Sequence, residues 1–158
     1  MKSFGRIEFK WAVIFSVFSI AWVFFEKSMG WHDRLIDRHD SMTLLIVLPS
    51  ALIYVLAMRD KRKRHTEREW GWLYAFRSGL GLTGFITLLT PLVGWFCLTY
   101  VSPDFFANMI HYMVNEQGQD PDDMERYFNM SAYITMFMVG RATLGIAGSA
   151  LLAVWVRK

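Results

Sequence analysis

The sequence has a single cysteine, Cys97, and this scarcity excludes an intrachain disulfide. It also lacks a CxxC pair, an HExxH segment and a glycine-rich phosphate-binding loop. The usual signatures of a thiol redox centre, a zinc protease and a nucleotide site are therefore missing. No serine or cysteine lies in a recognisable catalytic motif, so nucleophilic catalysis has little support. From motifs alone we assign no catalytic residue, no metal ligand and no cofactor.

Charge is scarce in four long stretches of the chain. Of its 158 residues, 54% are hydrophobic and 16% aromatic, and the apolar residues collect in blocks at about 7–25, 42–58, 80–101 and 132–156. A helix that crosses the ~30 Å hydrocarbon core needs about 17–25 apolar residues. Lipid offers no hydrogen bonds to the backbone, so each block should be helical. The sequence therefore predicts an all-α fold, a four-helix transmembrane bundle in a single integral-membrane domain, 1–158.

The basic residues are distributed unequally between the two predicted membrane faces. Twelve Lys and Arg fall on the face of the termini and of the loop between the second and third spans, and four fall on the other face. By the positive-inside rule, both termini are expected to be cytoplasmic. The first span lacks a cleavage pattern, so we expect it to stay uncleaved. The basic loop Arg59–Arg68 is interpreted as a topology signal that contacts anionic lipids. Nucleic-acid binding is not expected.

The connector between the third and fourth spans carries helix signals. Ser102 is predicted to cap one helix, and Gly118 to end it. Asp120 and Pro121 begin a second helix with an acidic first turn. We therefore predict an amphipathic helical hairpin on the outer face, lying over the membrane surface. Simple interface packing is favoured over a lid or a docking surface for a partner.

Arg141 is the only formally charged residue deep inside a predicted span. An arginine at the centre of a membrane helix costs about 2.5–3.5 kcal/mol, so it should face the bundle and be paired. Pro91 cannot donate to the carbonyl of Thr87, and Thr87, Thr90 and Tyr54 add hydroxyl groups. We predict that Arg141 hydrogen-bonds to this region, which we expect to be unwound. A structural clasp is favoured over an internal site for an anionic headgroup or substrate.

The segment "WHDRLIDRHD", residues 31–40, lies between the first two spans and has two His and three Asp. If it is helical, Asp33 and Asp37 stack at i, i+4, and His32 and His39 share a face at i, i+7. Three hypotheses stay open: a metal site, a pH-responsive patch, and an interfacial helix whose Asp–Arg pairs fix how the first two spans meet. The interfacial helix is favoured.

Several stretches resemble a bacterial membrane-protein family. They are "FEKSMGWHDRLIDRH", "LPSALIYVLAMRDKRK", "YAFRSGLGLTGFITLLTPL" and "VSPDFFANMIHY", and the family is known as a domain of unknown function (number forty-one ninety-nine). The resemblance implies four helices in a bacterial inner membrane, and it implies no activity, substrate or cofactor. Its specific positions are Glu26-Lys27, Gly30, His32-Asp33, Asp37, His39 and Pro103-Asp104-Phe105.

Three functions are compatible with these observations. The favoured one is an accessory or scaffold subunit without catalysis, in a homo-oligomer or with a membrane partner protein. The first alternative is a carrier or binder of a lipid or small solute, with Arg141 in the bundle interior. The second is an outer-facing metal-dependent membrane enzyme. The candidate binding residues are Glu26, His32, Asp33, Asp37, His39, Arg141 and Thr87.

Overall fold

A computed structural model describes residues 5–64 and 70–157. The described residues form helices and their connections, without a strand. Arg68, at the end of the loop that is predicted to contact anionic lipids, lies outside this part of the chain. The α-helices are α1 (Arg6–Ser28), α2 (His39–Thr43), α3 (Val47–Arg62), α4 (Trp72–Phe96), α5 (Phe105–Asn115), α6 (Pro121–Tyr127) and α7 (Met130–Val156).

Four stretches within the described residues are long and apolar enough to cross a membrane: Arg6–Ser28, Ile36–Arg62, Trp72–Val101 and Met130–Val156. They confirm the predicted all-α fold class with four spans. The second stretch begins six residues earlier than predicted, because a 3-10 turn, α2 and a second 3-10 turn continue into α3. His39 therefore lies at the start of a helical span and not in a separate surface helix.

The long helices pack around α4, which contacts α1, α3 and α7. Buried apolar side chains from all four helices, including Phe15, Met58 and Leu82, form the core. The helices α4 and α7 approach closely, since a Cβ added to Gly79 would lie 2.4 Å from Ser149 Oγ and one added to Gly145 would lie 2.6 Å from Thr83 Oγ1. Small residues therefore set this helix pair, as the sequence predicts.

The hairpin of α5 and α6 forms as predicted, but one of its caps differs. Asp120 caps α6 through its side chain, which accepts from the backbone N–H groups of Asp122 and Asp123. Ser102 does not cap α5, which begins at Phe105 after Asp104. The apolar side of α5 packs against the protein, since Phe105 is only 2% exposed. The hairpin therefore closes one end of the helical assembly, which we call the hairpin end.

The predicted helix over residues 31–40 does not form as one element. The chain turns after α1, then adopts a 3-10 turn at Ile36–Arg38 before α2. Gly30 has a φ of +79°, which favours glycine and interrupts the helix. The i, i+4 stacking of Asp33 on Asp37 is therefore wrong, and both side chains are exposed. The same turn directs the side chain of His32 into the protein, where it is buried.

Candidate functional site

Three buried polar side chains meet at the hairpin end: Glu26 from α1, His32 from the turn, and His39 from the first residue of α2. They are 3%, 5% and 7% exposed. One potential ligand atom from each lies within 4.8 Å of the others, and no second such group occurs among the described residues. We call these three residues the Glu-His-His cluster.

The end of α1 is fixed by backbone and side-chain contacts that place Glu26. The backbone N–H of Trp31 donates to the carbonyl of Glu26 at 3.1 Å, which closes the turn. Lys27 donates through Nζ to the carbonyl of Val101 and so ties the end of α1 to the end of the third span. Trp22 Nε1 donates to Glu26 Oε1 at 2.8 Å. The second carboxylate oxygen, Oε2, is left facing His32.

The orientation of His32 is set by residues that follow α4. Its Nδ1 lies 2.9 Å from Ser102 Oγ, and Asn108 Nδ2 donates to its backbone carbonyl at 2.9 Å. A π-helical turn at Cys97–Val101 precedes Ser102, whose N–H donates to the Cys97 carbonyl. With Nδ1 held by the hydroxyl, Nε2 faces the carboxylate, 3.4 Å from Glu26 Oε2. A histidine that binds a metal is commonly held through its other ring nitrogen in this way.

Two ring nitrogens of the cluster are buried without a hydrogen-bond partner in the described part of the chain. They are Nε2 of His32 and Nδ1 of His39. The Nε2 atom lies within ion-pair distance of Glu26, 3.4 Å from its Oε2. Buried polar atoms are almost always paired, and leaving one unpaired costs about 1–3 kcal/mol. Two such atoms beside one carboxylate make the Glu-His-His cluster the candidate ligand site among the described residues.

The aromatic ring of Phe105 covers the cluster. Its centroid lies 5.0 Å from that of His32 and 4.9 Å from that of His39. The two imidazoles are themselves 5.2 Å apart between centroids. Because Phe105 begins α5, the hairpin supplies an apolar cover that limits the access of water to the three polar side chains.

Two imidazoles and a carboxylate are the ligand types of zinc and of other first-row divalent ions. Ligands at about 2.0–2.2 Å from such an ion lie roughly 3–3.5 Å apart. The 3.4 Å distance between His32 Nε2 and Glu26 Oε2 already meets this requirement. Small rotations of the His39 ring would bring the third ligand into range. Three protein ligands would leave at least one coordination position for water or a substrate.

The structure brings together three of the seven candidate residues and separates the rest. Asp33 and Asp37 are exposed and do not belong to the cluster. The sequence interpretation missed Trp22 and Ser102, which orient the cluster. It assigned Ser102 to a helix cap because a serine before Pro-Asp is typical of one. Phe105 is noted in the sequence only as a position of the family resemblance, which gives no sign of its contact with the two histidines.

Arg141 lies apart from the cluster, on α7. Its Nη1 donates to Thr90 Oγ1 at 3.1 Å. Its guanidinium carbon lies 5.6 Å from the ring centroid of Phe15 and 5.9 Å from that of Phe137. The helix α4 continues through Pro91, so the expected unwound region is absent from this described helix. Tyr54 pairs with Thr83 instead, at 3.0 Å between the two oxygens.

The comparisons with known proteins identify a family and no close relative. No curated protein and no solved structure matches the chain. A family model described as a protein of unknown function, DUF4199, matches residues 10–158. That range includes the Glu-His-His cluster and all of the residues that orient it. The chain therefore belongs to the DUF4199 family, and its four long apolar helices make it a multi-pass membrane protein.

Proposed function

We propose that this protein is a membrane metalloprotein that binds one first-row divalent cation through Glu26, His32 and His39. The observation that carries the proposal is the pair of buried, unpartnered imidazole nitrogens beside a buried carboxylate. A bound cation would satisfy all three groups at once. It would also offset the charge of Glu26, which is expensive to bury alone.

A metal explains the geometry better than the interfacial helix does. The interfacial-helix hypothesis does not account for the burial of Glu26, His32 and His39 at one place. The favoured Asp–Arg lacing has little support either, because Asp37 and Arg38 are 4.0 Å apart at exposed positions. Exposed pairs of this kind contribute about 0–1 kcal/mol.

Metal binding is compatible with more than one role in the membrane. The open coordination position suits a metal-dependent enzyme, and a closed site would suit an accessory subunit without catalysis. The cluster is proposed to face the non-cytoplasmic side of a bacterial inner membrane. This orientation is supported by the basic residues Arg59–Arg64, which gather at the opposite end of α3.

The test is metal content. The full chain is purified in mild detergent, stripped with a chelator, reloaded separately with Zn²⁺, Fe²⁺, Mn²⁺ or Co²⁺, and analysed by elemental mass spectrometry. We expect a single ion per chain, and visible absorption bands for Co²⁺ bound to nitrogen and oxygen ligands. His39→Gln should lose the ion and keep its helical circular dichroism.

The matched control is His111→Gln, which changes an exposed histidine of the neighbouring α5. This variant should bind metal as the wild type does. The proposal is wrong if the reloaded wild type holds no stoichiometric ion, or if His39→Gln binds as tightly as His111→Gln.

A further inference from the structure

Arg141 is a cation without a counter-charge. It is the twelfth residue of the 27-residue helix α7, so it lies about 17 Å along the helix at 1.5 Å per residue. Its hydrogen bond goes to the hydroxyl of Thr90, which is uncharged. No carboxylate of the described residues lies within ion-pair distance of it. Arginines at this depth are normally paired or mark a binding pathway.

Among the described contacts, Arg141 donates a hydrogen bond to one acceptor, the hydroxyl of Thr90. The hydroxyl of Thr90 donates its proton to the carbonyl of Ile86 at 2.9 Å, so it accepts from the guanidinium. The other N–H groups of Arg141 have no partner in the described contacts. A guanidinium has five N–H donors and no acceptor. The site therefore has an excess of positively polarised hydrogens.

Two hydroxyl groups on the helices that contact Arg141 are buried and have no hydrogen-bond partner in the described structure. Ser19 Oγ is on α1, one helical turn from Phe15, whose ring contacts the guanidinium. Thr87 Oγ1 is on α4, one turn from Thr90. The donor group that the described contacts place at this position is the guanidinium of Arg141.

We propose that this guanidinium binds the carboxylate of a single-chain amphiphile, such as a long-chain fatty acid. A guanidinium pairs with a planar carboxylate through two parallel hydrogen bonds, and one positive charge matches one carboxylate. The flanking walls are the apolar rings of Phe15 and Phe137, and Phe137 is 39% exposed on the outer surface of α7. An acyl chain in the bilayer would therefore reach the site from the lipid side. The inference is independent of the Glu-His-His cluster.

The experiment follows the labelled carboxyl carbon of [1-¹³C]oleate by NMR, with the full chain in nonionic detergent. We expect one protein-bound carboxyl resonance per chain, distinct from the micellar signal. Oleate should also raise the midpoint of thermal unfolding, whereas oleyl alcohol, which has the same tail without the charge, should not. Labelled acetate tests a small free carboxylate and should give no bound signal.

Arg141→Gln keeps a donor to Thr90 and removes the charge, and it should weaken oleate binding by about tenfold or more. Arg126→Gln removes the charge of an exposed arginine and should bind oleate normally. If Arg141→Gln fails to fold, Thr90→Val and Arg141→Lys are measured instead, and each should weaken binding. The proposal is overturned by equal stabilisation with oleate and oleyl alcohol, by bound acetate, by the absence of a bound oleate resonance, or by unchanged binding in the Arg141 and Thr90 variants.

Discussion

The side chains of Glu8 and Lys61 form an ion pair that is 2% exposed at each residue, at the end of the molecule opposite the hairpin. Ser78 Oγ donates to the same carboxylate at 3.4 Å, and the N–H of Gly5 donates to its second oxygen at 3.1 Å. The ion pair therefore joins α1 to α3, and the hydrogen bond from Ser78 connects α4 to the same carboxylate. Buried pairs are expensive to desolvate, and they are most damaging when one partner is removed.

Glu8→Gln should therefore destabilise the protein by about 3–5 kcal/mol, because it removes one charge of a buried ion pair. The double variant Glu8→Leu with Lys61→Met should lose much less. Reversible unfolding in mixed detergent–SDS micelles measures both. Equal losses for the single and the double variant would contradict this account of the pair.

Ser102 is a positioning residue for His32, and its removal should affect the metal more than the fold. In Ser102→Ala, the Nδ1 atom loses the hydroxyl that fixes the ring, so metal affinity should fall by about 10–100-fold. The stoichiometry at saturating metal should stay unchanged. Ser131→Ala, at an exposed position, is the control. Competition with a chromophoric chelator gives the affinities, and equal values for the two variants would argue against the role of Ser102.

Among the elements, the turn after α1 decides whether the cluster can form. The sequence predicts the four spans and the hairpin well, since each depends on local composition and on helix signals. The convergence of Glu26, His32 and His39 was not predictable from spacing along one helix. It depends on a helix break at Gly30 and on Ser102 from a distant part of the chain. Long-range contacts of this kind leave no periodic pattern in a single sequence.

Gly30→Ala tests the turn. The positive φ is strained for alanine by about 1–2 kcal/mol, and its Cβ would lie 2.7 Å from Arg34 Nε. Gly118→Ala is the matched control, with a φ of +66° and nothing within 4 Å of its Cβ. Both variants should lose stability, and only Gly30→Ala should lose metal affinity. A similar loss of affinity in both would show that stability alone governs binding.

The helix α5 is expected to slow the exchange of a metal in the cluster. Phe105→Leu removes the ring that covers both histidines and keeps an apolar side chain. We expect a bound ion to be lost to excess chelator several times faster, followed by stopped-flow absorbance of the Co²⁺ form. Phe106→Leu alters a neighbouring ring that packs on Tyr133 and should leave the rate unchanged. Equal rates of ion loss in the two variants would show that Phe105 does not cover the site.

For the whole molecule, the distribution of charge predicts the orientation in the membrane. The hairpin end is acidic and the opposite end is basic, so the positive-inside rule predicts that both termini are cytoplasmic. The native thiol of Cys97 is only 5% exposed, so the wild-type chain is a suitable background for cysteine labelling. Gln119→Cys, in the hairpin, and Lys63→Cys, after α3, are both at exposed positions.

In intact cells, a membrane-impermeant maleimide should label Gln119→Cys and should leave Lys63→Cys unlabelled until the cells are opened. The wild type serves as the background control, because its one cysteine is buried. The reverse labelling pattern would place the cluster on the cytoplasmic side and would contradict the charge-based prediction.

The π-helical turn at Cys97–Val101 makes the length of the third span part of the candidate site. Removing Thr99 would take one residue out of this turn and return it toward α-helical spacing, which would shift the backbone that carries Ser102 relative to His32. The shortened segment would still be apolar enough to cross a membrane. The number of residues between α4 and the hairpin, rather than their hydropathy, therefore determines whether the hydroxyl reaches the imidazole.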